Sequence, residues 1–501
     1  MAHFTPRVAD NNAPALPPFK HSYAALPPHF FSVTEASPVA GPHLIRLNGP
    51  LAGELGLDPA YLRSSDGVAM LAGNAFPPTA KPIAMAYAGH QFGGFVPQLG
   101  DGRALLIGEL IDRNGRRRDI QLKGSGPTRF SRNGDGRAGI GPVLREYLVS
   151  EAMYALGVPT TRSLAAVLTG EQVYRERALP GAVLTRVAAS HIRIGTFQYF
   201  AARSDADGLR ALADYAIDRH YPELRNAEQP YAAFLRAVVA AQARLVAQWM
   251  LIGFIHGVMN TDNMTISGET IDYGPCAFME NYDPATVFSS IDQGGRYAYA
   301  NQPGIAVWNL ARLAEALLPI LHADIDEAVK LGEAAIRTFQ GHYEAAFHAG
   351  LRRKIGLSTS QEGDIALLTD LFDRMRHNQA DFTLTFRALA HDVERDGQAR
   401  AQFINVTGMD EWQISWRKRL AREPGGPEAA RELILSTNPK YIARNHRVEE
   451  AIDAATDNND FAPFERLLSV VSRPFDEQPE NEAYADPPTS DQRVLRTFCG
   501  T

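Results

Sequence analysis

Hydrophobic and polar positions change rhythm along the chain. Up to about residue 80, short apolar patches are broken by prolines, as in PALPPF, LPPHFF and FPPTAKP. No helical period survives there, so the segment is expected to wrap a domain as loops with short elements. From Gly100 the period shortens: ALLIGELI (104–111), the polar turn DRNGRRR and DIQLKGSG (119–126) predict two strands around a turn. In PVLREYLVSEAMYALG (142–157), Leu144, Leu148, Met153 and Leu156 fall near helical spacing, and Pro142 sits in a first turn, where its missing N–H costs little. Residues 158–187, with SLAAVLTG and GAVLTRV, read again as short strands.

Beyond Gly208 helical spacing dominates. Phe234, Val238, Leu245, Trp249 and Ile252 repeat on one face and predict a buried central helix over 231–255. It runs into the polar loop HGVMNTDNM (256–264), and MTISGETIDYG (264–274) reads as a hairpin that forms one unit with that loop. Further helices are expected at 305–321, 324–350, 363–377, 427–436 and 446–455, without an internal repeat. The expected class is α+β, a β-containing N-terminal lobe followed by a helical lobe.

Composition narrows the function classes. At 501 residues the chain should hold roughly three structural units. Hydrophobic residues at 45% and charged residues at 21% exclude a disordered or fibrous chain. Lys plus Arg number 50 against 57 Asp plus Glu, a net charge of −7, so no nucleic-acid or membrane partner is expected and any anion site must be local. Two cysteines, Cys276 and Cys499, leave room for one redox pair but not for a disulfide scaffold or a cysteine-built metal site. No signal-like h-region and no run of 18 apolar residues is present, and a cytoplasmic location is expected.

The polar signals come in a telling order: a Gly-rich turn before a strand, a Lys near the end of the next strand, a Glu on the following helix, an Asp-Asn loop after a long helix, and an Asp opening DYG. Singly, each is an ordinary turn, edge or surface residue. Together they have the order of a protein kinase, where phosphoryl chemistry needs a phosphate cradle, a Lys held by a Glu, and oxygens for a metal beside a hydroxyl-activating carboxylate. On that order Gly100, Gly102 and Arg103 form the cradle, Lys123 meets phosphate, Glu146 pairs with Lys123, and Asp262, Asn263 and Asp272 supply base and metal ligands. His256 has no second His at helical spacing, and bracing the loop is its expected role.

YAGHQFGGFVPQLGDGRA (87–104), DIQLKGSGPTRFSRNGDGRA (119–138), the 142–165 segment, HGVMNTDNM, IDYGPCAFM (271–279) and NPKYIARN (438–445) resemble the selenoprotein O family over nearly the whole chain. The resemblance implies a protein-kinase-like two-lobed fold. It also implies transfer of AMP, instead of the terminal phosphate, from ATP to Ser, Thr or Tyr hydroxyls of proteins. It further implies that Gly100, Gly102, Arg103, Lys123, Asp135, Gly136, Arg186, Arg193 and Asp272 bind nucleotide, that Asp262 accepts the proton, and that Asn263 and Asp272 hold Mg2+ or Mn2+. Arg186 and Arg193 give this a physical reason, since guanidiniums suit β and γ phosphates better than adenine, so the nucleotide would lie reversed. HGVMNTDN departs from the His-Arg-Asp kinase pattern, so the role of Asp262 rests on the family. A UTP-using transferase, a true kinase and a non-catalytic nucleotide-binding scaffold stay open alternatives. The near-terminal thiol is a family feature, and Cys276 with Cys499 is the expected redox pair. The expected division is 1–86 extension, 87–200 nucleotide-binding lobe, 201–350 helical lobe with catalytic and metal loops, and 351–501 C-terminal helices and tail.

Overall fold

A computed structural model describes residues 16–395 and 397–498. The class is α+β, with an antiparallel sheet in the first half and helices through the second. The strands are β1 (Phe31–Val33), β2 (His43–Leu47), β3 (Ile83–Met85), β4 (Gly89–Gln91), β5 (Gly94–Val96), β6 (Ala104–Ile111), β7 (Arg117–Lys123), β8 (Ala138–Gly139), β9 (Arg162–Tyr174), β10 (Ala178–Ala188), β11 (Phe254–Ile255) and β12 (Ala277–Phe278). The main sheet runs β1-β3-β6-β7-β10-β9-β2, with β8 added to β10; β4–β5 and β11–β12 are separate two-stranded pieces.

The sheet is covered on both faces, which is why ALLIGELI reads as a continuous apolar run instead of alternating. One cover is the Pro-rich segment itself. Besides loops it forms three short helices, α1 (Gly49–Glu54), α2 (Pro59–Arg63) and α3 (Ser65–Ala72), each opened by a side-chain cap from Asn48, Asp58 or Ser64. Their Leu51, Leu62 and Leu71 join Ile107, Ile120 and Val183 in one cluster. The other cover is α4 (Ile140–Ala155), which carries Glu146.

The remaining helices are α5 (Ile194–Ala201), α6 (Ala206–His220), α7 (Pro230–Leu251), α8 (Gln302–Leu321), α9 (Ile325–Lys354), α10 (Asp364–Asn378), α11 (Phe382–Ala388), α12 (Val406–Leu420), α13 (Gly426–Thr437), α14 (Asn445–Asn458) and α15 (Ala462–Val471). The expected central helix is α7, but it ends at Leu251: Gly253 takes φ +71° and the next residues form β11 against β12. The expected 264–274 hairpin does not form. That segment instead lies along residues 192–194, with Ile194 N donating to Met264 O and Ile266 N to Ile192 O. By length and composition alone, Tyr299–Leu321 could cross a membrane; half of that stretch is buried, and α8 packs on α7 and α9. From behind, α14 and α15 hold α4 through an Arg145–Glu449 ion pair and a Tyr147–Phe464 edge-to-face contact at 5.7 Å, which fixes the helix that presents Glu146.

Candidate active site

Between the sheet and the helical half lies a cavity of about 500 Å3. Its wall brings together Gly100, Gly102, Arg103, Lys123, Asp135, Gly136, Glu146, Arg186, Arg193, Asp262, Asn263 and Asp272, residues spread over more than 170 positions of sequence. Cys276 is buried just outside that wall, and Cys499 lies outside the described residues.

The strand register builds the charged end. Residues two apart on a strand share a face, and Arg186 on β10 stands opposite Gln121 on β7, so Gln121, Lys123 and Arg186 converge. Lys123 Nζ donates to Glu146 Oε2 at 2.7 Å and to Asp272 Oδ1 at 2.9 Å. Arg186 donates from Nε to Glu146 Oε1 (2.8 Å), from Nη1 to Gln121 Oε1 (3.2 Å) and from Nη2 to Asp272 Oδ1 (2.6 Å). Arg193, just ahead of α5, reaches Asp272 Oδ2 at 3.4 Å and Asp101 Oδ1 at 3.5 Å, with its guanidinium over the Tyr87 ring. Burial alone would push Asp272 up, but Arg186, Lys123 and Arg193 outweigh it and hold that carboxyl well below the usual range. Burial likewise opposes the charge of Arg186, yet Asp272 and Glu146 raise it above an ordinary arginine. Asp272 is therefore fully ionised, one carboxylate shared by three cations.

The glycine loop is set by close approach. Gly100 has φ +95°, and a Cβ there would lie 2.4 Å from the Phe130 ring, so both conformation and space demand glycine. Phe130 belongs to the loop after β7, which bonds back through Thr128 Oγ1 to Asp101 O at 2.7 Å. In the same loop Gly136 takes φ +64°, and a Cβ would come 2.1 Å from the Gly126 carbonyl. Asp135 stands at the exposed rim with its carboxylate forked by Arg175 at 2.8 and 3.0 Å. Asp135 thus orders the Gly136 turn, and Arg175 holds it below an ordinary carboxyl.

The 256–264 loop forms the opposite wall. His256 is fully buried and neutral, its ring Nε2 donating to Ile271 O at 2.9 Å and Nδ1 accepting from Val258 N at 3.4 Å. Burial lowers its pKa, and it links the loop to the residue before Asp272, a bracing geometry. Asn263 lines the cavity, and its Nδ2 donates to Val258 O at 3.0 Å, which leaves Oδ1 as the acceptor of its amide. Burial pushes Asp262 up to about 6, in a range useful for taking a proton near neutral pH. Asp272 itself has φ +62°, a conformation Asp tolerates better than most residues.

Sequence reasoning missed Asp101, Gln121, Tyr87 and Gln91, all of which touch the charged groups. Asp101 hid inside GDG as a turn residue, yet it is buried and accepts from Met85 N (3.1 Å) and Gln121 Nε2 (3.3 Å). Gln121 could have been found from its place two residues before Lys123 on the same face.

The chain matches the family described as protein adenylyltransferase SelO over residues 17–472. It is 63% identical over 486 residues to the protein nucleotidyltransferase YdiU of Bradyrhizobium sp. strain BTAi1, covering 97% of this chain and 99% of that relative. The protein of the same name from Methylorubrum extorquens strain PA1 is 62% identical over 496 residues, covering 97% of this chain and 100% of the relative. That from Rhizobium johnstonii is 59% identical over 500 residues, covering 99% and 100%.

Proposed function

The chain belongs to the SelO family of protein adenylyltransferases and is a nucleotidyltransferase, and from that premise we propose that it moves AMP from ATP to Ser, Thr or Tyr hydroxyls of proteins, on a kinase-like two-lobed fold. The observation that carries the reading is the set of Lys123, Arg186 and Arg193 gathered on one carboxylate in the cavity wall. An adenine ring gains little from buried cations, whereas a β,γ-diphosphate can take over their hydrogen bonds with bidentate geometry. Adenosine then points to the mouth, past Arg103 and the Gly136 turn, and the α-phosphorus is left facing the incoming hydroxyl. The reading places the chain in the cytosol, where ATP is made.

In the step itself the hydroxyl oxygen bonds to the α-phosphorus while the bond from that phosphorus to the β-bridging oxygen breaks. The hydroxyl proton passes to Asp262, and pyrophosphate leaves with the bonding pair, its charge met by Lys123, Arg186 and Arg193. Glu146 fixes Lys123 and Arg186 in place. Among the described residues no group of three or more His, Cys, Asp or Glu could enclose a cation. The free Asn263 Oδ1 and the Asp272 carboxylate are hard oxygen donors, and they fit Mg2+ or Mn2+, ions that take their other ligands from phosphate and water. When bound, the ion would neutralise phosphate charge.

The test is incubation with ATP labelled at the α or the γ position, followed by intact-mass analysis, with α-labelled UTP in parallel. Retention of α label and a mass gain of one adenylyl group are expected. Incorporation of γ label at comparable stoichiometry counts against the reading, and a preference for UTP label would change the nucleotide.

A further inference from the structure

We propose that Gln91 is a positioning residue for Asp262, holding its carboxylate from a hairpin that closes over the catalytic loop; the proposal rests on the role of Asp262 given above. The hairpin β4–β5 belongs to no larger sheet, and an isolated pair of three-residue strands is marginal in water. Its turn, Phe92–Gly93, takes φ +52° and +88°, the geometry of a tight two-residue turn that a phenylalanine adopts only when its surroundings impose it. The surroundings here are the catalytic loop. His90 N donates to Thr261 Oγ1 at 2.7 Å, Gln91 Nε2 to Asp262 Oδ2 at 3.2 Å, and Phe92 N to Asn260 Oδ1 at 3.0 Å. Three successive hairpin residues thus grip three successive loop residues, and Tyr297 OH adds a bond to Asn260 Oδ1 at 2.7 Å.

The two oxygens of Asp262 are made unequal by this grip. A Cβ on Gly89 would lie 2.6 Å from Oδ1, so Oδ1 occupies the space that glycine leaves. Oδ1 is buried there with no hydrogen-bond partner among the described residues, while Oδ2 is held by the Gln91 amide. Gly89 and Gln91 together fix the rotation of the carboxylate and leave Oδ2 to meet the acceptor hydroxyl. A carboxylate only accepts, so the amide nitrogen is the group that must face it.

Gln91→Glu keeps the shape, removes the donor and sets a like charge beside Asp262. It should lower kcat for α-label transfer roughly 10- to 100-fold, with the KM for ATP within about twofold of wild type. Gln91→Ala should behave similarly, and Gln91→His, whose ring N–H reaches about as far, should recover most of kcat. Equal losses in all three variants, a loss confined to KM, or wild-type rates in Gln91→Glu would each overturn the proposal. Melting curves accompany every variant, so a misfolded Gln91→Glu is recognised and the Ala and His pair decides. A wild type that carries γ label instead of α label overturns the adenylyl-transfer reading alone, because the same kcat comparison is then made with γ label.

Discussion

Replacing Asp272 by Asn should abolish transfer and at the same time tighten the binding of metal-free ATP. Asp272 is the shared partner of Lys123, Arg186 and Arg193, at 2.9, 2.6 and 3.4 Å. Its carboxyl is held well below the usual range, so at neutral pH the substitution removes one full negative charge. Asn suits the test because it tolerates the left-handed φ of +62°, which Ala would adopt with strain. At about 6 Å and an effective dielectric near 20, one charge acts on one phosphate charge with ~3 kcal/mol. Solvent at a partly exposed carboxylate and salt reduce this to ~1.4 kcal/mol, a tenfold fall in Kd. Titration calorimetry with ATP in the presence of a chelator measures it. Excess Mg2+ should then strengthen wild-type binding more than that of the variant, narrowing or inverting the order. Transfer of α label should fall by about 100-fold or more if Asp272 holds the cation as proposed. A folded Asp272→Asn protein that binds metal-free ATP no more tightly than wild type would refute the idea that this carboxylate competes with phosphate for the three cations.

Lys354 ends α9 with its Nζ 4.2 Å above the Phe386 ring, and burial pushes it down to about 7 from 10.5. The unfolded chain binds the extra proton between those values, so this group makes stability rise with pH from about 7 to 10, and its cost is fully present below 7. Lys354→Met should therefore melt higher than wild type at pH 6 and lose that slope in pH-dependent melting; a lower melting temperature with the slope intact argues otherwise. Near the other end, Thr497 N donates to Phe288 O at 2.7 Å, and Thr497 Oγ1 donates to Pro275 O at 2.5 Å, beside Cys276. We propose that oxidised glutathione joins Cys276 to Cys499, its own S–S bond breaking as two glutathione thiols leave with the two electrons and the two thiol protons, and that the new bond limits access of protein substrates. Reductant should then raise transfer to added protein with ATP affinity unchanged, and Cys499→Ser should need none; peptide mapping that recovers both thiols separately after oxidation would remove the switch.

How far the fold could be read depended on whether local pattern or distant contact decided each element. The strand at 104–111 and the helix carrying Glu146 followed their apolar pattern closely, a continuous run in a strand buried on both faces and helical spacing in the helix, whereas the strand expected at 119–126 runs over 117–123, two polar residues earlier and ending at Lys123 before Gly124 turns the chain at φ +96°. The helices α1, α2 and α3 escaped because each has eight residues or fewer and owes its start to a capping side chain more than to a periodic face. The end of α7 was misplaced because Ile252 keeps helical spacing while Gly253, at φ +71°, turns the chain into β11. The site divides along a similar line. Glu146, Arg186 and Arg193 are buried charged residues, and with the half-buried Lys123 and Asp272 they make sense only as a mutually paired set, so their order along the chain carries information. Gln91, Gln121 and Asn260 are neutral amides that orient those charges and the adjacent loop. Nothing in GHQFGGF announces that Gln91 meets a carboxylate 171 positions away, or that Gly89 is there to make room for Oδ1. Charged groups reveal a site because burying them is costly, whereas the amides that aim them cost little wherever they lie, and only the folded register shows their work.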